Sequence, residues 1–460
     1  MTALTRRSFL AAAAASAAAP AFGAGPIRGE VDIVVVGAGA AGIAAARRIA
    51  AANRRVALLE ATERIGGRCF TDTATFGVPF DRGAHWIHTP DLNPVARLAA
   101  NTGLDIYPAP PGQKVRIGRR NAREGEMEDF LSALVRANRA IGEAARGKSD
   151  VPCAMALPKD LLDWRQTTEF VLGPYGCAKD LGEVSAMDFA RSVERDSATF
   201  CRQGFGALIA KLAERLPVEL SAAATRIDLG SRGGVDIETP RGRISARAAI
   251  VTVSTGVLAA SKIRFTPDLP KRQLDAFNAL KLGSYDHVAL ELPGNPLGLQ
   301  RDDLVFEKSE SARTGALLAN VGGSTLCVVT VGGKFGRDLA AQGEAEMTTF
   351  ALDWLAGLYG PDVKKAVRRK SATQWNNDPW VMGGFSAAAL GAQPARKILM
   401  EPVRDRLWFA GEAVHETLWG TVGGAWESGE RAAEAAMKKL GFIVEPRPEP
   451  KRSTPSRRRR

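Results

Sequence analysis

Two sets of residues in this 460-residue chain have types and spacings that could do chemistry. The first is Gly37, Gly39 and Gly42, a G-x-G-x-x-G directly after the nearly all-apolar run VDIVVV, with Glu60 roughly twenty residues further on. Gly37 permits a tight turn, Gly39 lets backbone approach a pyrophosphate, and Gly42 lets helix and strand pack closely. An Ala-rich helix beginning at Ala40 and Ala41 would turn free N–H groups and a positive dipole end toward phosphate. Glu60, closing a second apolar run, is placed to bond ribose hydroxyls. Together they predict a strand–turn–helix–strand unit that holds an adenine dinucleotide. The second set is the four histidines, His85, His88, His287 and His415. They are too dispersed for a metal site, and no H-E-x-x-H occurs. Five cysteines, none in a C-x-x-C, read as buried thiols.

Along the chain, 56–59, 218–220 and 224–229 read as short strands. Residues 233–239, 242–246 and 249–253 alternate as a small antiparallel sheet. Helices are expected at about 93–103, 126–146, 345–359 and from 420–425 onward. Residues 105–200 are the least informative, and none of them stands out chemically.

Composition sets the bounds. The chain is 45% hydrophobic, long enough for two or more domains, with no apolar run that could span a bilayer. Its formal charge of +12 is concentrated at the ends. Residues 446–460 hold seven basic residues and one acid, with little to bury, so they predict a disordered, solvated tail. The body is only mildly basic, which argues against a nucleic-acid partner. Thr5-Arg6-Arg7-Ser8-Phe9-Leu10 resembles a bacterial twin-arginine signal. An Ala-rich segment too short to span a membrane and a small-residue site follow. Residues 1–24 are therefore expected to direct export of a folded protein, periplasmic or otherwise exported, through the twin-arginine machinery.

Further motifs resemble the flavin-containing amine oxidase superfamily over about residues 31–440. Glu63-Arg-Ile-Gly-Gly-Arg68 resembles the R-x-G-G-R segment after the ribose acid. Phe80-Asp-Arg-Gly-Ala-His-Trp-Ile-His88 resembles the D-x-G-A-x-W-I-H segment of polyamine oxidases. Residues 375–386 resemble W-x-x-D-x-x-x-x-G-S-Y-S, and 407–433 resemble the closing strand and helix. The resemblance implies an α/β fold: a doubly wound, Rossmann-like FAD-binding domain of the GR2 type, with a mixed α+β substrate-binding domain. The FAD domain would comprise 30–90, 200–285 and 395–442. The substrate domain would comprise 91–199 and 286–394, and 443–460 the tail.

It also implies site residues. Ala61, Gly66, Gly67 and Arg68 would join Gly37, Gly39, Ala40, Ala41, Gly42 and Glu60 along the nucleotide and pyrophosphate. Ala224 would meet adenine. Gly83, Ala84, His85, Trp86, Trp375, Trp380, Gly411, Glu412, Thr421, Val422 and Ala425 would lie at the flavin. Phe385 would form one wall of an aromatic cage over the ring. The second wall, often Tyr, falls on Thr421, with Trp419 or Trp426 expected nearby. His88 would face the substrate amine as a neutral acceptor. His287 stands where relatives carry a Lys that holds water near flavin N5. An unperturbed imidazole titrates near pH 6.5, so reoxidation by oxygen would follow that titration. Gly384 replaces the cysteine that links some monoamine oxidases to FAD, so noncovalent FAD is expected.

The implied reaction is oxidation of a primary or secondary amine to an imine, with O2 reduced to H2O2. An amino acid oxidase or tryptophan monooxygenase is a close rival, but needs an Arg clamp where this chain reads Gly83-Ala-His-Trp86. A dehydrogenase using another acceptor and a non-catalytic flavin-binding protein are two further rivals.

Overall fold

The computed structural model describes residues 31–193, 195, 197–230 and 233–443. The signal-like segment and the basic tail lie outside the described residues.

The strand Val31–Val36 is buried on both faces beyond the half-buried Asp32, because its other residues are apolar in both registers. Ile33 and Val35 pack into one core and Val31, Val34 and Val36 into another. It runs parallel to Val56–Leu59 on one side and to Gly242–Val251 on the other, with Val35 opposite Leu58 and Ile250. Val218–Glu219 extends the sheet beyond Val56–Leu59, and Leu407–Phe409 runs parallel to the end of Gly242–Val251. Val235–Thr239, Arg226–Asp228 and Arg264–Thr266 complete it. The two strands expected at 242–246 and 249–253 are one continuous strand. It pairs first antiparallel with Val235–Thr239 and then parallel with Val31–Val36. A change of partner, not a turn, is what breaks its alternation.

Helix Ala40–Ala51 crosses this sheet and packs against Val422–Lys439. Small residues permit the approach: a Cβ on Gly429 would come within 2.0 Å of the Ala41 carbonyl oxygen. The closing helix begins at Val422, after Thr421, whose Oγ1 accepts from Gly424 N at 3.0 Å.

A second sheet runs in the order Arg369–Ala372, Tyr285–Glu291, Leu326–Gly332, Ala316–Ala319, Asp303–Glu307, Lys114–Ile117, Arg120–Asn121. Alternation sorts its central strand. Val288 and Leu290 join the core beneath helix Glu344–Tyr359, while Tyr285 and His287 share the opposite face. Helix Glu124–Ala144 buries Phe130, Ala133, Ala137 and Ile141, a helical stripe that packs on Leu161 and Trp164. The short segments between Lys159 and Phe189 pack around it. Among the described residues, no helix is long and apolar enough to cross a membrane. All five cysteines are buried free thiols.

Candidate active site

A single cavity of about 540 Å³ runs between the two sheets. One end is a cradle. Gly37 has φ +102°, the left-handed turn that glycine allows. Helix Ala40–Ala51 begins with no side-chain cap, so its first N–H groups are left for whatever fills the cavity. A Cβ on Gly39 would meet no protein atom within 4 Å, so packing does not require that glycine. The open space beside it leaves room for close approach of a ligand. Gly42 differs. It does not line the cavity, which corrects its place among the cofactor contacts. A Cβ there would fall 1.8 Å from the Gly37 carbonyl oxygen, so it serves the helix–strand contact.

Glu60 closes the cradle. Its carboxylate accepts from Ala38 N at 2.9 Å, Thr62 N at 3.0 Å and Thr62 Oγ1 at 2.9 Å. A carboxylate has about four acceptor positions, so capacity remains for hydroxyls. Ala61, Gly66, Gly67, Arg68 and Ala224 line the same end. Gly66 N donates to Ala38 O at 2.8 Å, which pins the second glycine segment to the first.

Glu412 is the hub of the middle. It is buried and accepts from Arg68 Nη1 at 3.0 Å, Ser386 N at 3.1 Å, Ser386 Oγ at 2.7 Å and Gly420 N at 3.0 Å. One carboxylate thus ties the segments of Arg68, Ser386 and Gly420 together. A buried charge is tolerated because every oxygen is bonded. Gly411, Thr421, Val422 and Ala425 line the wall beside it. Gly83, Ala84, Trp86, Trp375 and Trp380 line the opposite one. A Cβ on Gly83 would lie 2.0 Å from the Arg68 carbonyl oxygen, so glycine is required there. Trp375 is buried and donates Nε1–H to Arg82 O at 2.9 Å, whereas Trp380 is exposed at the rim. His85 Nδ1 bonds Asp81 Oδ2 at 2.7 Å, and its buried Nε2 has no partner among the described residues.

The far end is an aromatic chamber. Phe385 and Tyr285 have ring centroids 5.3 Å apart, and Tyr285 and Tyr175 6.2 Å. Trp419 and Trp426 are fully buried and do not line the cavity, so the wall expected from them is absent. Tyr285 and Tyr175 stand on that side instead. Tyr285 carries a sequence signal: it lies two residues before His287, on the same strand face. Tyr175, Leu134, Asn138 and Arg195 also line the cavity. They come from the stretch in which no residue stands out by type or spacing, and only packing brings them here.

His88 lies on the strand Ile87–His88 and stacks on Trp86 with ring planes 8° apart. Burial and the nearby Arg195 charge push its pKa down to about 3, so the ring is neutral. Its buried Nδ1 has no partner among the described residues.

His287 departs from expectation. Its Nε2 lies 3.0 Å from the Gly83 carbonyl and its Nδ1 3.0 Å from Thr330 Oγ1. A carbonyl only accepts, so Nε2 carries the proton and Nδ1 accepts from the threonine hydroxyl. Burial lowers its pKa to about 4. The ring is a neutral brace for the Gly83 backbone, and the titration expected near pH 6.5 is corrected accordingly.

No group of three or more His, Cys, Asp or Glu side chains suited to a metal occurs among the described residues.

Residues 163–437 match the model of the flavin containing amine oxidoreductase family, and residues 35–102 that of an NAD(P)-binding Rossmann-like domain. The chain is similar to human lysine-specific histone demethylase 2, with 26% identity over 440 residues, covering 87% of this chain and 53% of that protein. It thus spans about half the length of that relative. It is also similar to polyamine oxidase 4 of Oryza sativa subsp. japonica, with 25% identity and 89% of each chain covered. Among solved structures it resembles cyclohexylamine oxidase from Brevibacterium oxydans IH-35A. That match has a TM-score of 0.76 at 21% identity, covering 90% of this chain and 100% of that one. Wild-type putrescine oxidase bound to putrescine matches with a TM-score of 0.75 at 21% identity, covering 89% and 99%. These two share the fold. The family match spans more than half of the chain, and its glycine cradle, Glu60 and the Arg68–Glu412 hub stand in one cavity: the protein belongs to the flavin-containing amine oxidoreductase family.

Proposed function

We propose that this protein is an FAD-dependent amine oxidase that converts a C–N bond of an amine to an imine. The observation that carries this reading is the continuity of the cavity. A dinucleotide cradle at one end opens, past Arg68 and Glu412, into an aromatic chamber beside a neutral histidine. FAD fits the cradle and would supply a two-electron acceptor for the hydride equivalent of the amine's α-carbon, with O2 finally reduced to H2O2.

The chain's own residues have separate tasks. Glu60 holds ribose hydroxyls, and the uncapped helix end faces the pyrophosphate. Gly66, Gly67 and Arg68 border the phosphates, Ala224 the adenine. Gly83, held by His287, presents its backbone to the ring. Phe385, Tyr285 and Tyr175 exclude water and orient the amine. Neutral His88 accepts a hydrogen bond from the amine and favours its uncharged, reactive form. Residues 30–90, 200–285 and 395–442 form the cofactor half of this reading, and 91–199 and 286–394 the substrate half. FAD is held without a covalent bond, since Gly384 offers no thiol.

Adding a panel of amines without oxygen tests the reading: at least one must bleach the bound flavin, and admitting air must then yield peroxide. No bleaching by any amine overturns it. Bleaching without peroxide favours a dehydrogenase, a second reading supported by His287, whose two ring nitrogens are both engaged by protein groups.

The Arg6-Arg7 pair and the short apolar segment after it support export of the folded protein through the twin-arginine route to the periplasm. Changing both arginines to lysine should trap the precursor inside the cell; unimpeded export would refute that route.

A further inference from the structure

The aromatic chamber holds a charge that the reaction proposed above does not use. The cavity's acids belong elsewhere: Glu60 closes the cradle, Glu412 is paired with Arg68, and Asp378 faces Arg64. Among the described residues, no carboxylate lines the chamber around Phe385, Tyr285 and Tyr175. Arg195 does line it.

Its guanidinium is fixed in place. Nη2 donates to Trp419 O at 2.6 Å and Nη1 to Gly176 O at 3.4 Å, and its carbon sits 5.3 Å from the Trp419 ring centroid. It borders Phe385 through Gly420: a Cβ on Gly420 would lie 2.8 Å from Phe385 Cδ2 and 3.5 Å from Arg195 Nη2. Its charge is felt by both His88 and Tyr285. Glu412, already bonded to Arg68, is near enough to favour its charge, but among the described residues no carboxylate forms an ion pair with it. Of the five N–H donors of a guanidinium, two are committed among the described residues, both to neutral carbonyls. A half-buried cation with spare donors in a planar fork, beside the group that faces the amine, is built to receive an anion. It would repel a second ammonium group.

We propose that Arg195 recognises a carboxylate, and that the amine oxidised in this site carries that carboxylate on the same molecule: an amino acid, not a diamine or polyamine. This rests on the amine oxidase reading. The chemistry balances as before. The carbon bearing the nitrogen gives up its C–H as a hydride equivalent to FAD and the nitrogen loses a proton, leaving an imino acid. Water hydrolyses the imine to an oxo acid and ammonia. O2 takes the two electrons with two protons and leaves as H2O2. The clamp comes from a different segment than the Gly83-Ala-His-Trp86 stretch, whose lack of arginine counts against such a substrate.

Two measurements on the FAD-loaded protein test it. The first compares anaerobic flavin bleaching by matched pairs: phenylalanine with 2-phenylethylamine, and 4-aminobutyrate with butylamine. In at least one pair the carboxylated member should be favoured at least about tenfold in rate over dissociation constant, the low end for a charge-assisted hydrogen bond. The second follows benzoate binding through the visible flavin spectrum, which requires no turnover. Arg195→Gln keeps a donor for the Trp419 carbonyl, yet should weaken benzoate about ten- to a hundredfold, with Arg195→Lys intermediate. Preference for the plain amine in both pairs, or benzoate affinity unchanged in Arg195→Gln, overturns the proposal while leaving amine oxidation standing. If no member of either pair bleaches the flavin, amine oxidation fails, and the benzoate titration still decides whether Arg195 binds a carboxylate.

Discussion

Acid should unfold this protein partly through His287, and the size of the effect follows from the site. The ring is buried between Thr330 and the Gly83 carbonyl and holds its pKa at about 4, against roughly 6.5 in an unfolded chain. The folded state therefore binds fewer protons than the unfolded one between those values. The resulting stability is fully present above pH 6.5 and is lost as pH falls toward 4. At one pKa unit per about 1.4 kcal/mol, the loss from this residue at pH 5 is about 2 kcal/mol relative to pH 8. His88, lowered to about 3, adds loss of the same sign. Asp286 opposes it: burial raises its carboxyl to about 6, so its contribution is present at low pH and lost as pH rises from about 4 to 6. A variant comparison isolates His287 from both. His287→Gln keeps an N–H for the Gly83 carbonyl and cannot be protonated. Urea unfolding at pH 8 should place it within about 1 kcal/mol of the wild type, the value of one hydrogen bond. At pH 5 the difference should move by about 2 kcal/mol in the variant's favour. Parallel stability curves from pH 8 to pH 5 would refute the buried, neutral imidazole. The same reasoning predicts no step near pH 6.5 in the reoxidation rate.

Other substitutions separate cofactor contact from packing. Gly39→Ala should fold normally and lose FAD affinity, because its new methyl meets no protein atom; Gly42→Ala should destabilise the apoprotein itself, because its methyl strikes the Gly37 carbonyl. Circular-dichroism melts beside flavin titrations distinguish the two, and equal effects on both readouts would refute the distinction. Arg396 and Asp188 form a fully buried, doubly hydrogen-bonded pair, with Arg396 also donating to Ala413 O at 3.0 Å. Arg396→Met should cost about 3–5 kcal/mol by stranding the aspartate, and the double change Arg396→Met with Asp188→Leu should recover part of it. Urea midpoints of the three proteins check this.

The contiguous motifs are legible in the residues themselves. Five apolar residues in a run of six, a glycine turn and an Ala-rich helix dictate a strand–turn–helix locally, since steric freedom at Gly37 and burial of both strand faces are properties of neighbouring residues. Glu60 follows at a distance set by one helix and one strand. The helix at Asn93 reads the same way: the Asn93 side chain accepts from Val95 N at 3.0 Å, and Pro94 sits at the first turn. What tertiary structure decided has a different physical origin. Gly42 and Gly39 look alike in the motif, but only the packed neighbours show that one faces a carbonyl and the other open space. His287 has an ordinary imidazole pKa until burial removes water and a carbonyl takes its proton. Trp419 and Trp426 are expected beside the ring because they are near Thr421 in sequence; core packing takes up Trp419, which precedes the closing helix, and helix phase with core packing takes up Trp426. Arg195 and Tyr175 come from a stretch with no motif, and long-range packing alone brings them to Phe385. The cofactor cradle is therefore written in local backbone requirements, which a sequence displays, and the substrate chamber in side chains gathered from distant elements, which it does not.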